Sequence, residues 1–291
     1  MKGNWPIVLF LAATIGVGCT HRQPFGKGET AASVPDLPFF TDDSTFTDAD
    51  TLLLDDQVED APLPVSIDEL FDDFVFVFEQ SNHLQRQRIH FPLTIQQANG
   101  ETHLMQQADW THRSLFLGQD YCTVLWRNRR QMNLAQDPDV SAASVEQIFL
   151  HSRLIEAYDF ERDSTSGRWM LTRQRQYPFE HCDLQGFLDF YRQWATDSIY
   201  QRQHVQNPMR FVVTDENEEF EAIEGTIDVD QWFEFKPDLP QDVLTNIRYG
   251  QSYQNAHRMI LQVRGFSNGL QNLLTFQCDA TGRWRLTAYE N

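Results

Sequence analysis

The sequence predicts an α+β fold made twice in tandem, each copy a helix layer packed on a mainly antiparallel sheet. Three observations carry this. Helical periodicity opening at Ser66 gives way to period-two alternation after Ser81. The same succession returns 116 residues later, so that Phe71 is answered by Phe187. Both copies then close on a similar turn and strand, Ser166-Gly167-Arg168-Trp169 and Thr281-Gly282-Arg283-Trp284.

Taken in order, the chain opens on Lys2, the apolar run Ile7 to Val17, and Gly18-Cys19. One cation, a short apolar stretch and a small residue before the cut describe a secretory signal over residues 1–18. The run is shorter than the about 20 residues that a bilayer crossing takes. Gly18-Cys19 resembles the bacterial lipobox, whose cysteine is diacylglycerated and becomes the first mature residue, although Gly16 stands where leucine is usual. Ordinary cleavage beside an incidental cysteine is the alternative. The expectation is an exported lipoprotein of the cell envelope, anchored through Cys19 to the outer membrane of a Gram-negative bacterium.

Residues 19–65 change character. Between Lys27 and Arg86 there is no lysine or arginine, while Asp36, Asp42, Asp43, Asp48, Asp50, Asp55, Asp56, Glu59 and Asp60 accumulate. Like charges repel and little apolar surface is on offer, so folding cannot offset the entropy lost. This predicts a disordered acidic tether.

The folded part starts at Ser66, where Ser66 with Glu69 has capping-box spacing and Val65 with Leu70 could form the hydrophobic staple. Ile67, Leu70, Phe71, Phe74, Val75 and Phe78 keep helical spacing. Ile89, Phe91, Leu93 and Ile95 then point one way, with Arg88 and His90 the other, as in a strand. In the second copy Phe187, Asp189, Phe190, Gln201, Arg202, Gln203 and Pro208 repeat Phe71, Asp73, Phe74, Gln85, Arg86, Gln87 and Pro92. The closing motifs repeat at an offset of 115, Trp169 to Trp284, one residue being absorbed in the turn. Tyr158 and Phe160, like Leu274 and Phe276, share one face of the hairpin. The copies run from 66 to 181 and from 182 to 291. Arg86 and Arg202 hold matched places, and pairing with Asp73 and Asp189 would give them a structural job.

The run from Phe71-Asp72-Asp73-Phe74 through Gln85 to Leu93, with Asp109-Trp110 and Asp120-Tyr121, resembles an uncharacterised lipoprotein family, domain of unknown function 4348. The resemblance covers residues 66–291 and implies a fold similar to nuclear transport factor 2, a cone made by a curved sheet around helices. It implies no activity and carries over no catalytic residues. The second copy departs from the run at Asn207, where the first has Phe91, and in the acidic insert Asp215 to Glu221. That insert reads as a solvated loop, with a hard-cation site as the alternative.

A net charge of −19 argues against nucleic acid and against an anionic lipid surface, leaving the N-terminal lipid as the membrane contact. No nucleotide-binding, zinc-protease or serine-hydrolase motif is present. His103 and His112 lie near Asp109 without metal-ligand spacing, so neither a metal nor a cofactor is expected. Glu156 falls between Leu154 and Tyr158 on an apolar strand face, where its counterpart is Asn272. Such a carboxylate lies either at the sheet edge in water, the favoured reading, or inside the cone. Glu156, Tyr121, His90 and Asp109 are the candidates for a pocket wall, and any open cavity is expected within residues 66–181. Cys122, Cys182 and Cys278 allow one intramolecular pair at most, Cys182 with Cys278, or three core thiols. The leading reading is a non-enzymatic module that binds a small ligand or an envelope protein; an acid-base enzyme of the ketosteroid-isomerase-like kind is the alternative.

Blocking signal peptidase II should leave a larger, unprocessed precursor on a gel. Cys19→Ala should block that maturation; a variant still matured at residue 19 and still membrane-bound would contradict the lipid anchor.

Overall fold

The computed structural model describes residues 65–214, 222–266 and 269–291. The signal run, Cys19, the tether to residue 64 and the acidic insert 215–221 lie outside the described residues. Val65–Asp68 form a 3-10 turn, and helix α1 (Phe71–Gln80) begins with Leu70 at its N-cap and no side-chain cap. The expected capping box therefore does not start the helix. Asp68 is drawn elsewhere: its carboxylate takes both terminal nitrogens of Arg88 at 2.8 and 2.9 Å and the Trp169 N–H at 3.0 Å. Arg88 is consequently buried across the Phe74 ring and does not face solvent. Burial acts to raise the Asp68 pKa, but Arg88 and the Trp169 N–H outweigh it and hold the carboxyl below its usual range.

A short helix α2 (Asn82–Gln87), capped by Ser81, leads into β1 (Ile89–Gln96). There follow β2 (Thr102–Met105), β3 (Tyr121–Trp126), β4 (Ala142–Phe149), β5 (Leu154–Arg162) and β6 (Trp169–Pro178). The second series is α3 (Gln185–Thr196), α4 (Ser198–Gln203), β7 (Val205–Thr214), β8 (Ala222–Ile227), α5 (Val229–Phe235), β9 (Val243–Arg248), β10 (Arg258–Gly265), β11 (Gln271–Cys278) and β12 (Trp284–Glu290). Among the described residues no helix is long and apolar enough to cross a membrane.

Residues matched in sequence occupy matching places. Phe71 lies 5.4 Å from Phe160 and 4.9 Å from Trp169, ring centre to ring centre; Phe187 lies 5.4 Å from Phe276 and 5.2 Å from Trp284. Gln85 and Gln201 are both buried, each donating its amide at 3.1 Å to the last-turn carbonyl of the preceding helix, Phe78 or Trp194. Pairing with Asp73 and Asp189 does not occur. Arg86 instead donates to the carbonyls of Gln107 and Trp110, Arg202 bonds Asp230, and Asp189 takes Arg153.

The strands form one twelve-stranded sheet in the order β2-β1-β6-β5-β4-β9-β3-β10-β11-β12-β7-β8. Read from either end the order is the same series, except that the third strands have changed sides. β9 pairs antiparallel with β4, from Ser144 opposite Arg248 to Phe149 opposite Val243. β3 pairs antiparallel with β10, from Ile260 opposite Trp126 to Gly265 opposite Tyr121. Between them β3 and β9 run parallel, meeting at Thr123 and Asn246.

Two cores lie on opposite faces of this sheet. Val124, Trp126 and Ile260 join the core under α1, whereas Leu125, Met259 and Leu261 join the core under α3. Successive side chains of a strand alternate in direction, so the central strands feed both cores and read as nearly continuous apolar runs. Trp126 stacks on Tyr249 at 5.5 Å, both in the first core although they come from different strand series.

Because each series donates a strand to the other, a backbone cut between Glu180 and His181 should leave both pieces in one complex on native size-exclusion chromatography. Urea unfolding of the uncut chain should be a single transition, coincident in near- and far-ultraviolet circular dichroism. Pieces that separate without denaturant would contradict the exchange.

Candidate functional site

The four residues marked from sequence do not come together. Glu156 is half-buried on the face of the first core, accepting from Tyr158 Oη at 2.8 Å, from Gln176 at 3.3 Å and from Gln174. Burial, then the Glu156 carboxylate, pushes the Tyr158 hydroxyl well above its usual pKa. Tyr121 packs against the second core, because β3 has crossed into the other series. His90 and Asp109 are exposed. His103 and His112 are exposed too, the His112 ring lying 2.7 Å from the Glu79 carbonyl oxygen. Among the described residues no cluster of three or more His, Cys, Asp or Glu could hold a metal ion.

Three clefts among the described residues open at or beyond the central strands. The first, about 280 Å³, has Tyr121, Pro237, Leu239, Val263 and Asn272 on its wall. A second, about 220 Å³, is largely apolar and includes Leu184, Phe187, Met259, Cys278 and Trp284. The third, about 400 Å³, is polar, with Arg175, Tyr177, His181, Asp183 and Arg248 among its lining residues. None of these is walled by residues 66–181 alone, and Glu156, His90 and Asp109 line none of them. The expectation of a cavity inside the first copy rested on smaller groups at Phe78, Leu84 and Leu93 than at Trp194, Tyr200 and Met209.

Sequence reading missed the group beside the polar cleft. Glu146, on β4, has a side chain 1% exposed. It accepts from Asn246 at 2.8 Å and Tyr177 Oη at 3.1 Å, and faces Arg248 at 3.4 Å. Arg248 also donates to Asp183 at 2.8 Å and to the Gln251 carbonyl at 3.0 Å, and lies over the Tyr253 ring. Asp159 behind the same face takes Arg175 through two nitrogens, with Arg173 and Ser144 completing its shell. Burial and the nearby Glu146 raise the Tyr177 hydroxyl and push the Cys182 thiol up to about 12. Cys122, Cys182 and Cys278 are all free, and only Cys122 is fully buried. The disulfide between Cys182 and Cys278 is not formed.

The sheet register shows what corresponds to this charged group in the other series. Arg248 stands opposite Ser144, and Trp126 stands opposite Ile260, the residue 116 further on than Ser144. Glu146 likewise corresponds to Gln262, and Gln262 accepts the Trp126 indole N–H at 2.9 Å. A neutral Trp–Gln pair on one face is thus a charged Arg–Glu pair on the other. The signal in sequence is faint: Glu146 stands 116 residues before Gln262, a charged residue matched by a neutral one of the same shape.

The profile of the family described as Domain of unknown function (DUF4348) matches residues 49–291. The chain belongs to this family. It is similar to the crystal structure of an NTF2-like protein from Bacteroides fragilis, at 39% sequence identity and a TM-score of 0.72, covering 79% of this chain and 98% of that one. No curated protein matches. The fold is therefore NTF2-like, a large sheet with few helices.

Breaking the Glu146–Arg248 pair from one side should be costly, because it removes one of the two counter-charges of a largely buried guanidinium. Glu146→Gln should lower stability by several kcal/mol, toward the lower end of the about 3–5 kcal/mol seen for buried pairs, since Asp183 still holds Arg248. The double variant Glu146→Gln with Arg248→Trp, which copies the other face, should recover much of that loss in urea titrations. Equal loss in both variants would show that the two pairs are not interchangeable.

Proposed function

We propose that this chain is an exported lipoprotein of the cell envelope, held to the outer membrane through lipid on Cys19. In this reading a duplicated unit supplies two NTF2-like cones that share one sheet and act as a non-enzymatic binding or interaction module. The duplication is supported by the matched stacking of Phe71 and Phe187 and by the palindromic strand order.

One observation carries the non-enzymatic part. An acid-base site needs its groups within hydrogen-bond reach of one reacting atom. Here Glu156 and Tyr121 belong to opposite faces of the sheet, and His90 and Asp109 are in solvent. Glu156 spends its lone pairs on Tyr158, Gln174 and Gln176, as a structural acceptor does. The ligand or partner is then a small polar molecule or another envelope protein, taken up at the clefts beside the central strands. A lipid and a tether would display such a module without adding chemistry.

The test is proton exchange in deuterated water, read by nuclear magnetic resonance on ketones carrying acidic neighbouring C–H groups. The expected result is exchange at the background rate. Exchange above background that disappears in Glu156→Gln would overturn the reading. The same variant should cost about 1–3 kcal/mol of stability through its unsatisfied donors, whereas His90→Ala and Asp109→Ala should stay within about 0.5 kcal/mol.

A further inference from the structure

The polar cleft of about 400 Å³ lies where the two strand series meet: Gln96, Arg175 and Tyr177 come from the first, His181 and Asp183 from the link, Arg248 and Gln254 from the second. Its size falls in the range of small-molecule sites. Behind it two carboxylates are almost out of water, with side chains 1% exposed for Glu146 and 11% for Asp159.

Buried ion pairs seldom stabilise a fold more than well-packed neutral groups do. This molecule contains the comparison, because the corresponding place on the opposite face is held by Trp126 and Gln262 without any charge. The sheet therefore does not require charge at this position. What the charges accomplish is to fix two guanidinium groups in the wall of an open cleft. Arg248 is fully committed, through Nε to Gln251, Nη1 to Glu146 and Nη2 to Asp183. Arg175 is not. Its Nε and Nη2 are locked on Asp159, which leaves Nη1 without a partner among the described residues, on a side chain 26% exposed.

We propose that this cleft binds a small organic carboxylate, with Arg175 Nη1 and the His181 ring taking the carboxylate and the amides of Gln96 and Gln254 taking the remaining polar groups. The proposal rests on the binding-module reading and gives it a ligand class. A locked guanidinium loses little freedom on binding and suits a planar carboxylate. A phosphate dianion fits less well, since Asp183 is in the wall, Glu146 and Asp159 lie behind it, and the chain carries −19 overall. The carboxylate can come from a free acid or from the C-terminus of a short peptide. Arg248 is a positioning residue here and touches no ligand.

The experiment uses the full-length chain in detergent, titrated by calorimetry with succinate, glycylglycine and inorganic phosphate, with thermal unfolding alongside. A bound ligand raises the unfolding temperature in proportion to its saturation. Succinate or glycylglycine should bind, and which of them binds identifies the source. Arg175→Gln should weaken that binding about tenfold or more, a loss of about 1.4 kcal/mol. Arg173 still holds Asp159 in this variant, and circular dichroism checks its fold. His181→Gln and Gln254→Leu change exposed residues, so they decide the matter if Arg175→Gln does not fold; each should weaken binding severalfold. Binding of neither carboxylate, or of phosphate alone, overturns the proposal. Carboxylate binding that all three variants leave unchanged also overturns it, while leaving a binding module elsewhere on the chain. A bound carboxylate that is consumed, with a new species in the nuclear magnetic resonance spectrum, supports the cleft and overturns the non-enzymatic reading.

Discussion

The exchange of the third strands is the constraint from which the rest of the structure follows. β3 and β9 sit at the middle of the sheet with a core on either face, so water cannot satisfy their backbone. They meet each other at one register pair, Thr123 with Asn246, and side chains take over where the ladder fails. Leu125 N–H donates to Asn246 Oδ1 at 2.9 Å, and the Leu125 carbonyl accepts from Tyr253 Oη at 2.8 Å and Gln251 at 3.3 Å. Asn246 then spends its amide on Glu146, and Glu146 on Arg248 and Tyr177, so the polar cleft grows directly out of the repair of this seam. The other face is fastened across the series as well: Arg264 of β10 bonds Asp72 of α1 at 2.8 Å, and Tyr249 donates to the same carboxylate at 2.5 Å.

Much of this fold was legible because its signals are local. The stripe Phe71, Phe74, Val75, Phe78 and the alternation of Tyr158 with Phe160 need no knowledge of the neighbour they face, and both are buried as their spacing implies. The helix start was misread because a capping box is a local rule: residues 65–68 form a separate 3-10 turn, and Asp68 in that turn bonds Arg88 and Trp169, partners 20 and 101 residues away. Strand neighbours are harder still. No local pattern says which strand receives residues 121–126, and placing Tyr121 depends wholly on that choice.

Glu146 was missed for the same reason. On a sheet covered on one side only, the residue between Val145 and Gln147 would face water, and a glutamate there calls for no comment. The second core covers that side, so a surface-type residue becomes the most buried carboxylate of the group. Gln85 and Gln201 show the opposite case. Their identity at matched places was visible, and their role as buried ties between helix and loop emerges only from partners such as Arg113 and Lys236.

The parallel run of β3 beside β9 has a geometric consequence for recognition. Two series related about a line parallel to the strands present their helix layers in opposite directions, as the two cores on opposite faces require. A flat partner can lie against one helix layer only, because the other looks away from it. Avidity from gripping one surface twice is therefore closed to a single copy of this chain. What the arrangement permits is a bridge, with one layer facing each of two partners and the sheet as the spacer between them.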